Sequence, residues 1–254
     1  MEKVNIRQLQ TSKSKHQKLV MLTAYDYPFA KILDEAGVDM VLVGDSLGNV
    51  ALGYRNTLPV SMEEMIIHTR AVSRAVKHAL VVADMPFGSF QENEEKAVFN
   101  AIKLVKAGAE AVKIEGAEYL SAIKKVIKAG IPVMGHVGFT PQSVNLLGYR
   151  VQGKDKRSAA KIIKAAKALE KAGCFSIVLE MVPEDLAEKV TRAVKIPTIG
   201  IGAGKKGDGQ VLVTNDLLGL YENPPSFVKP KANLREIALA AVRDFISTEG
   251  GVPL

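Results

Sequence analysis

The sequence predicts a (β/α)8 TIM barrel, a single α/β domain spanning residues 1–254. Three observations carry that reading. Eight apolar runs of four to six residues alternate with helical segments, and strict alternation of this kind means parallel strands joined by crossover helices. Four helical segments close on the phrase Glu/Lys-Ala-Gly, at Glu35–Gly37, Lys106–Gly108, Lys128–Gly130 and Lys171–Gly173, each followed within about three residues by an apolar run. Eight such units in 254 residues match the size of a barrel. The rival, an open doubly wound sheet, lacks its Gly-x-Gly-x-x-Gly after the first strand, and no linker divides the chain.

The elements follow in order. A polar N-terminal extension, residues 1–18, precedes the first strand, Leu19–Thr23. Pro28 is well tolerated at a helix start, and Phe29–Gly37 follows as a helix closed by glycine. The second strand, Met40–Gly44, leads through a glycine-dotted loop to Ser61, which with Glu64 makes a capping-box pattern for a helix to about His78. Strands are then expected at Leu80–Ala83, Ala111–Ile114, Ile131–Met134, Ser176–Leu179, Thr198–Ile201 and Val211–Thr214. Helices are expected over Glu92–Lys106 and Tyr119–Ala129, in a lysine-striped stretch ending at Gly173, from Pro183-Glu184 to Val194, and in a C-terminal helix within residues 232–248.

Composition excludes several classes of function. Hydrophobic content is 47%, ample for a core, with 24% charged residues and a net charge of +7. Such a balance can signal nucleic acid or an anionic ligand. Here Lys161, Lys164, Lys167 and Lys171 line one helix face, basic residues are not interleaved with aromatics, and tryptophan is absent. Solvated helix faces are expected, and nucleic-acid binding is not. Cys174 is the one cysteine and lies in an apolar context, so it reads as a packing residue in a reducing compartment. The charged start has no apolar core of a secretory signal, and no run is long enough to span a membrane, so a cytoplasmic protein is expected.

Chemistry in barrels gathers at the C-terminal ends of the strands. Those ends read Asp45-Ser46, Asp84, Lys113 with Glu115, His136 and Glu180, followed by a glycine-rich turn. Barrel packing does not ask for ionisable groups there. Two Asp and a Glu without a nearby Cys suit a hard cation such as Mg²⁺ that retains several waters. Lys113 would neutralise an anionic substrate oxygen, or else form a Schiff base as in class I aldolases. Glu180 lies between Leu179 and Met181, and apolar flanks would raise its pKa as a general base or acid requires. The stretch Ile199–Gln210 is either a phosphate-binding turn or a tight bend.

Six stretches, MLTAYDYPFAKILDEAGVDMVLVGDSLGNVALGY, TLPVSMEEMIIHTRAV, DMPFGSFQ, VKIEG, PVMGHVGFTPQS and IGIGAGKKGDGQVLV, occur in that order. Together they resemble the ketopantoate hydroxymethyltransferase family from about Leu19 to Leu220. The segment Thr214-Asn215-Asp216 departs from that pattern, where relatives often carry His before the Asp. The resemblance implies a (β/α)8 barrel that moves a hydroxymethyl group from 5,10-methylenetetrahydrofolate to 3-methyl-2-oxobutanoate in pantothenate and coenzyme A synthesis. It implies one Mg²⁺ per subunit, held by Asp45 and Asp84 with Glu115 as a further ligand, through water or directly. It places Asp45, Ser46, Asp84 and Lys113 on the keto acid, His136 beside it, and Glu180 as the catalytic base. It also implies a homodecamer of two pentamers. The nearest enzyme alternative is a Mg²⁺-dependent lyase or mutase of the phosphoenolpyruvate mutase and isocitrate lyase group. A non-catalytic anion-binding barrel is the alternative of a different class.

Overall fold

The structure, a computed structural model, describes residues 2–249. It divides into two compact units, Met1–Val211 and Leu212–Leu254. In chain order the elements are α1 (Ile6–Ser14), β1 (Leu19–Thr23), α2 (Tyr27–Ala36), β2 (Met40–Val43), α3 (Leu47–Val50), α4 (Met62–Ala75) and β3 (Leu80–Asp84). Then come α5 (Glu94–Lys106), β4 (Ala111–Glu115), α6 (Leu120–Lys128), β5 (Val133–Gly138), α7 (Val144–Leu147), α8 (Lys156–Ala172) and β6 (Ser176–Glu180). The chain continues through α9 (Glu184–Ala193), β7 (Thr198–Ile201), β8 (Gly209–Leu212), α10 (Thr214–Leu218) and α11 (Leu234–Glu249). The eight strands pair in sequence order and close on themselves as a barrel, and every recorded register is parallel. The predicted fold class is the observed one.

Local chemistry sets the helix ends. Asp26 caps α2 by accepting from the Phe29 N–H, and Pro28 occupies its first turn. Ser61 and Glu64 form the reciprocal capping box of α4. The four glycines of the repeated phrase all take positive φ, between 84° and 109°, a conformation in which a side chain would clash. The α4 helix ends at Ala75, short of His78, because Asp34 draws the backbone N–H groups of Lys77, His78 and Ala79 onto its carboxylate.

Alternation along the strands sorts the core. Val41, Val81, Ala83, Val112, Ile114, Ile177 and Leu179 point outward and join the helices in one buried cluster. Met40, Leu42, Leu80, Val82, Ala111, Met134, Val178 and Ile199 point inward and form a second cluster, which Leu9 of α1 enters from the N-terminal extension. That extension reads as polar in sequence; buried Leu9, with Val4 and Ile6 beside it, packs it against the barrel. Following the inward parity one step further along each strand reaches Asp84, Lys113, Glu115, His136 and Glu180. The same alternation that fills the barrel with methyl groups therefore delivers ionisable groups to its C-terminal end.

Strand boundaries differ from expectation at β5 and β8 and, by one residue, at the ends of β2, β3, β4 and β6. β5 starts at Val133 and continues through His136 to Gly138, because Glu115 pairs with His136 and Gly138 with Glu180. β8 starts at Gly209, where Gly209 and Gln210 pair with Ile199 and Gly200, and Thr214 already opens α10. Asp84, Glu115 and Glu180 close their strands rather than following them. The turn after β7 is a packed bend: the Lys205 N–H donates to the Glu184 carboxylate at 2.8 Å, and the Gln210 amide donates to Gly204 O. Cys174 is buried, and burial pushes its thiol up to about 12, as suits a packing residue. Among the described residues no helix is long and apolar enough to cross a membrane.

In the second unit, Leu212–Leu254, α10 ends on Gly219 at φ 64°. Lys231 and Arg235 donate backbone N–H groups to Leu217 O and Gly219 O. The predicted C-terminal helix is present as α11, with Ile237, Val242 and Phe245 exposed.

Candidate active site

The ionisable groups at the C-terminal end of the barrel form one connected cluster. Lys113 is central: its Nζ lies 2.8 Å from Asp84 Oδ1, 3.6 Å from Glu115 Oε1 and 3.4 Å from His136 Nδ1. The Asp45 backbone N–H donates to Asp84 Oδ2 at 3.0 Å, joining β2 to β3. His136 bridges the cluster to the far side, with Nδ1 3.3 Å from Glu115 Oε1 and Nε2 3.2 Å from Glu180 Oε2. Ser46, at the mouth, exchanges a 2.8 Å hydrogen bond with the Tyr25 hydroxyl. Asp45, Asp84, Lys113, Glu115 and His136 are buried, and Glu180 is the more accessible.

Backbone geometry aims Glu180. Gly138 of β5 sits at φ 103°, and a Cβ there would meet Glu180 O at 2.2 Å, so only glycine lets the two strand ends approach. The Phe139 N–H donates to Glu180 O at 2.8 Å, and Met181 takes φ 45°, a left-handed turn that a methionine adopts at a cost of about 1–2 kcal/mol. Leu179 points away into the outer core. Glu180 therefore faces the His136 imidazole, where its sequence neighbours suggested an apolar wall.

Electrostatics give each group a role. Burial and the charges of Asp84 and Glu115 push the Asp45 carboxyl well above the usual carboxylate range, against Lys113 and the Gln142 amide. Burial also raises Asp84, although Lys113 pulls the other way. For Glu115, burial is more than offset by Lys113, by His136 and by the Gln142 backbone N–H, which leave it below the usual range. Burial opposes the Lys113 ammonium, but Asp84, Glu115 and Asp45 outweigh it and hold the amine charged. A protonated amine is no nucleophile, which disfavours the Schiff-base alternative. Burial and the Lys113 charge push His136 down, yet Glu115 and Glu180 more than offset them and carry the imidazole to about 9.

Four carboxylates thus share the pocket with two cations, Lys113 and the His136 imidazolium. That crowding of carboxylates disfavours ionisation of Asp45, and a divalent cation would favour it. Among the described residues no three His, Cys, Asp or Glu side chains ring an ion by themselves. Mg²⁺ does not require it, since it binds through one or two carboxylates and keeps waters and substrate oxygens as its other ligands. Asp84 Oδ1 and Glu115 Oε1 are buried, hard oxygen donors that face the Lys113 ammonium and the His136 imidazole, so the donor set fits a hard cation.

The structure brings together all the residues singled out in sequence, with Ser46 at the edge. Two others had no role assigned. Tyr25 is the hydroxyl partner of Ser46. Gln142 donates its side-chain amide to Asp45 Oδ2 at 2.9 Å and its backbone N–H to Glu115 Oε2 at 3.0 Å. Both lie inside the quoted motifs, TAYDY and TPQS, the one signal that could have found them.

The family model for ketopantoate hydroxymethyltransferase matches residues 3–249. The chain belongs to the ketopantoate hydroxymethyltransferase family. A relative from Pyrococcus abyssi named 3-methyl-2-oxobutanoate hydroxymethyltransferase is 55% identical over 247 residues, covering 96% of this chain and 87% of its own. One from Thermotoga maritima with the same name is 54% identical, covering 95% and 90%. Members of the family are enzymes, and this chain is a one-carbon transferase of that family. Among solved structures, a phosphoenolpyruvate phosphomutase from Streptomyces platensis superposes with a TM-score of 0.68 at 14% identity, covering 97% of this chain and 88% of that one. A 2,3-dimethylmalate lyase of the phosphoenolpyruvate mutase and isocitrate lyase superfamily gives 0.62 at 15% identity, covering 98% and 89%. These share the barrel fold. Family membership favours hydroxymethyl transfer over the lyase or mutase alternative.

Proposed function

We propose that this enzyme transfers the one-carbon unit of 5,10-methylenetetrahydrofolate to 3-methyl-2-oxobutanoate, giving 2-dehydropantoate for pantothenate and coenzyme A synthesis. The observation that carries the reading is the division of the cluster. Asp84 and Glu115 flank Lys113 on one side, with Asp45 joined to Asp84, and Glu180 stands on the other side, reached through His136. Asp45 and Asp84 would hold Mg²⁺, with Glu115 ligating directly or through water. When bound, the ion supplies Lewis-acid charge that makes the C3–H of a 2-oxo acid more acidic.

The chain's own residues do the rest. Lys113, held as an ammonium, compensates negative charge on the substrate oxygens, and the hydroxyl of Ser46, set by Tyr25, orients the keto acid at the mouth. Glu180 takes the C3 proton onto its carboxylate. His136 fixes the orientation of that carboxylate. The two carbon–nitrogen bonds of the folate's methylene carbon are replaced in turn, one by the bond to C3 and the other by the hydroxyl that water supplies, and the proton from C3 and one from water end on the two folate nitrogens. Tetrahydrofolate is the other product. Related (β/α)8 lyases and mutases need no folate, so dependence of product on 5,10-methylenetetrahydrofolate separates the two readings. By the same resemblance we place the enzyme in the cytoplasm as a homodecamer of two pentamers, without nucleic-acid or membrane partners.

The test is proton NMR of 3-methyl-2-oxobutanoate in D₂O with Mg²⁺ and without folate. Metal-dependent loss of the C3–H signal is expected. Glu180→Gln should slow it by at least about a hundredfold, as removal of a general base does, while Mg²⁺-dependent keto-acid binding persists. Loss of binding and exchange together would refute the assignment of Glu180 as base.

A further inference from the structure

Gln142 is buried in the 3-10 turn Pro141–Ser143 that follows β5, and every hydrogen-bonding group of its side chain is used. Its Nε2 donates to Asp45 Oδ2 at 2.9 Å and to Met85 O at 2.9 Å. Its Oε1 accepts from Gln91 Nε2 at 3.0 Å. Gln91 Oε1 in turn accepts from the Gly88 and Phe90 backbone N–H groups at 2.8 and 3.3 Å. This chain of donors allows one orientation of the Gln142 amide. Turned over, its oxygen would face the Asp45 carboxylate and the Met85 carbonyl with no proton between them. The Gln142 backbone N–H meanwhile donates to Glu115 Oε2 at 3.0 Å. One residue thus grips one oxygen of Asp45 on the β2 side and one of Glu115 on β4, turning Glu115 Oε1 toward Lys113 and His136.

We infer that Gln142 is a positioning residue that holds Asp45 and Glu115 in the arrangement that receives the divalent cation, and that the Gln91–Gln142 contact ties this arrangement to the loop between β3 and α5. The inference rests on the reading that Asp45 and Glu115 lie on the cation side. A carboxylate with one oxygen fixed by a neutral donor keeps its charge and loses its rotamer freedom, which is how groups beyond the ligands tune a metal site.

The experiment titrates Mn²⁺, a paramagnetic stand-in for Mg²⁺, into the full-length protein and reads free Mn²⁺ by electron paramagnetic resonance. The variants are Gln142→Met, which keeps the volume and the backbone N–H but removes the amide, Gln91→Met and Asp45→Asn. Gln142→Met is expected to weaken Mn²⁺ binding about tenfold, the lower end of the range for such partners, with an unchanged circular dichroism spectrum. It should also lower kcat more than it raises KM for the keto acid. Wild-type Mn²⁺ affinity in Gln142→Met, with binding lost in Asp45→Asn, would overturn the inference and leave the site reading standing. Unchanged affinity in Asp45→Asn would overturn the site reading itself, and the inference with it. Should Gln142→Met not fold, Gln91→Met frees the same amide without altering the site. A several-fold weakening there supports the inference, and unchanged affinity overturns it.

Discussion

Asp34 shows what a single buried carboxylate does outside the active site. It accepts the backbone N–H groups of Lys77, His78 and Ala79 at 2.8–2.9 Å, where the chain leaves α4 for β3. Burial alone would raise its pKa above the ordinary 3.8, but those three donors more than offset it and leave the carboxyl below that value. The sign follows from linkage. A group whose pKa is lower in the folded chain adds stability at pH above its unfolded value, and that contribution fades as pH falls through the folded value. Asp34→Ala should cost about 2–4 kcal/mol at neutral pH, because buried donors lose a charged acceptor. Urea unfolding followed by circular dichroism measures it, and the deficit should shrink below pH 3.8 as the wild type protonates. An equal deficit at acid and neutral pH would mean that packing, not the hydrogen bonds, sets the cost. The same residue-scale logic separates Lys113 from the surface lysines of α8. All are lysines in sequence, and only the surrounding carboxylates make one of them a fixed charge in the site.

At the scale of elements, α1 is instructive because sequence reasoning saw only a polar extension. It starts on an Asn5–Gln8 capping box and ends with His16 at φ 55°, where the His16 and Gln17 N–H groups close onto Lys13 O and Ser12 O. That left-handed position is normally glycine. His16→Gly should therefore raise stability by about 1 kcal/mol by relieving the side-chain strain, read as a higher urea midpoint with unchanged slope. A lower midpoint would mean that the imidazole makes a contact worth more than the strain. The Ser61–Glu64 capping box and the glycine stops were legible because they are local: each needs residues three to five apart and no partner from elsewhere. β5 was not, because its last residues are held by Glu115 and Glu180 on neighbouring strands. Gly135 and Gly138 inside it look like a loop until that pairing exists.

For the whole molecule, the outer surface carries apolar side chains that the chain itself leaves uncovered, including Ile67 on α4, Phe99 on α5 and Phe245 on α11. Burial of such residues between copies is the driving force expected for a large assembly. Light scattering coupled to size exclusion should give ten chains of 27.3 kDa. A monomer mass would refute the decamer and leave the single-chain site unaffected.

The number and order of strands, the helix stops and the identity of the charged residues at the strand ends followed from the sequence alone. Each rests on periodicity, on glycine and capping chemistry, or on motifs written in consecutive residues. Which charges meet was decided by the tertiary structure. Register pairs Asp84 with Lys113 and Glu115 with His136, and only then do burial and mutual repulsion move their proton affinities. Gln142 belongs to the same class. A glutamine in a turn has no pattern of its own, and its role appears when barrel closure carries it 97 positions along the chain to Asp45. Proton affinity and orientation depend on neighbours in space, and a linear chain specifies those only once it has folded.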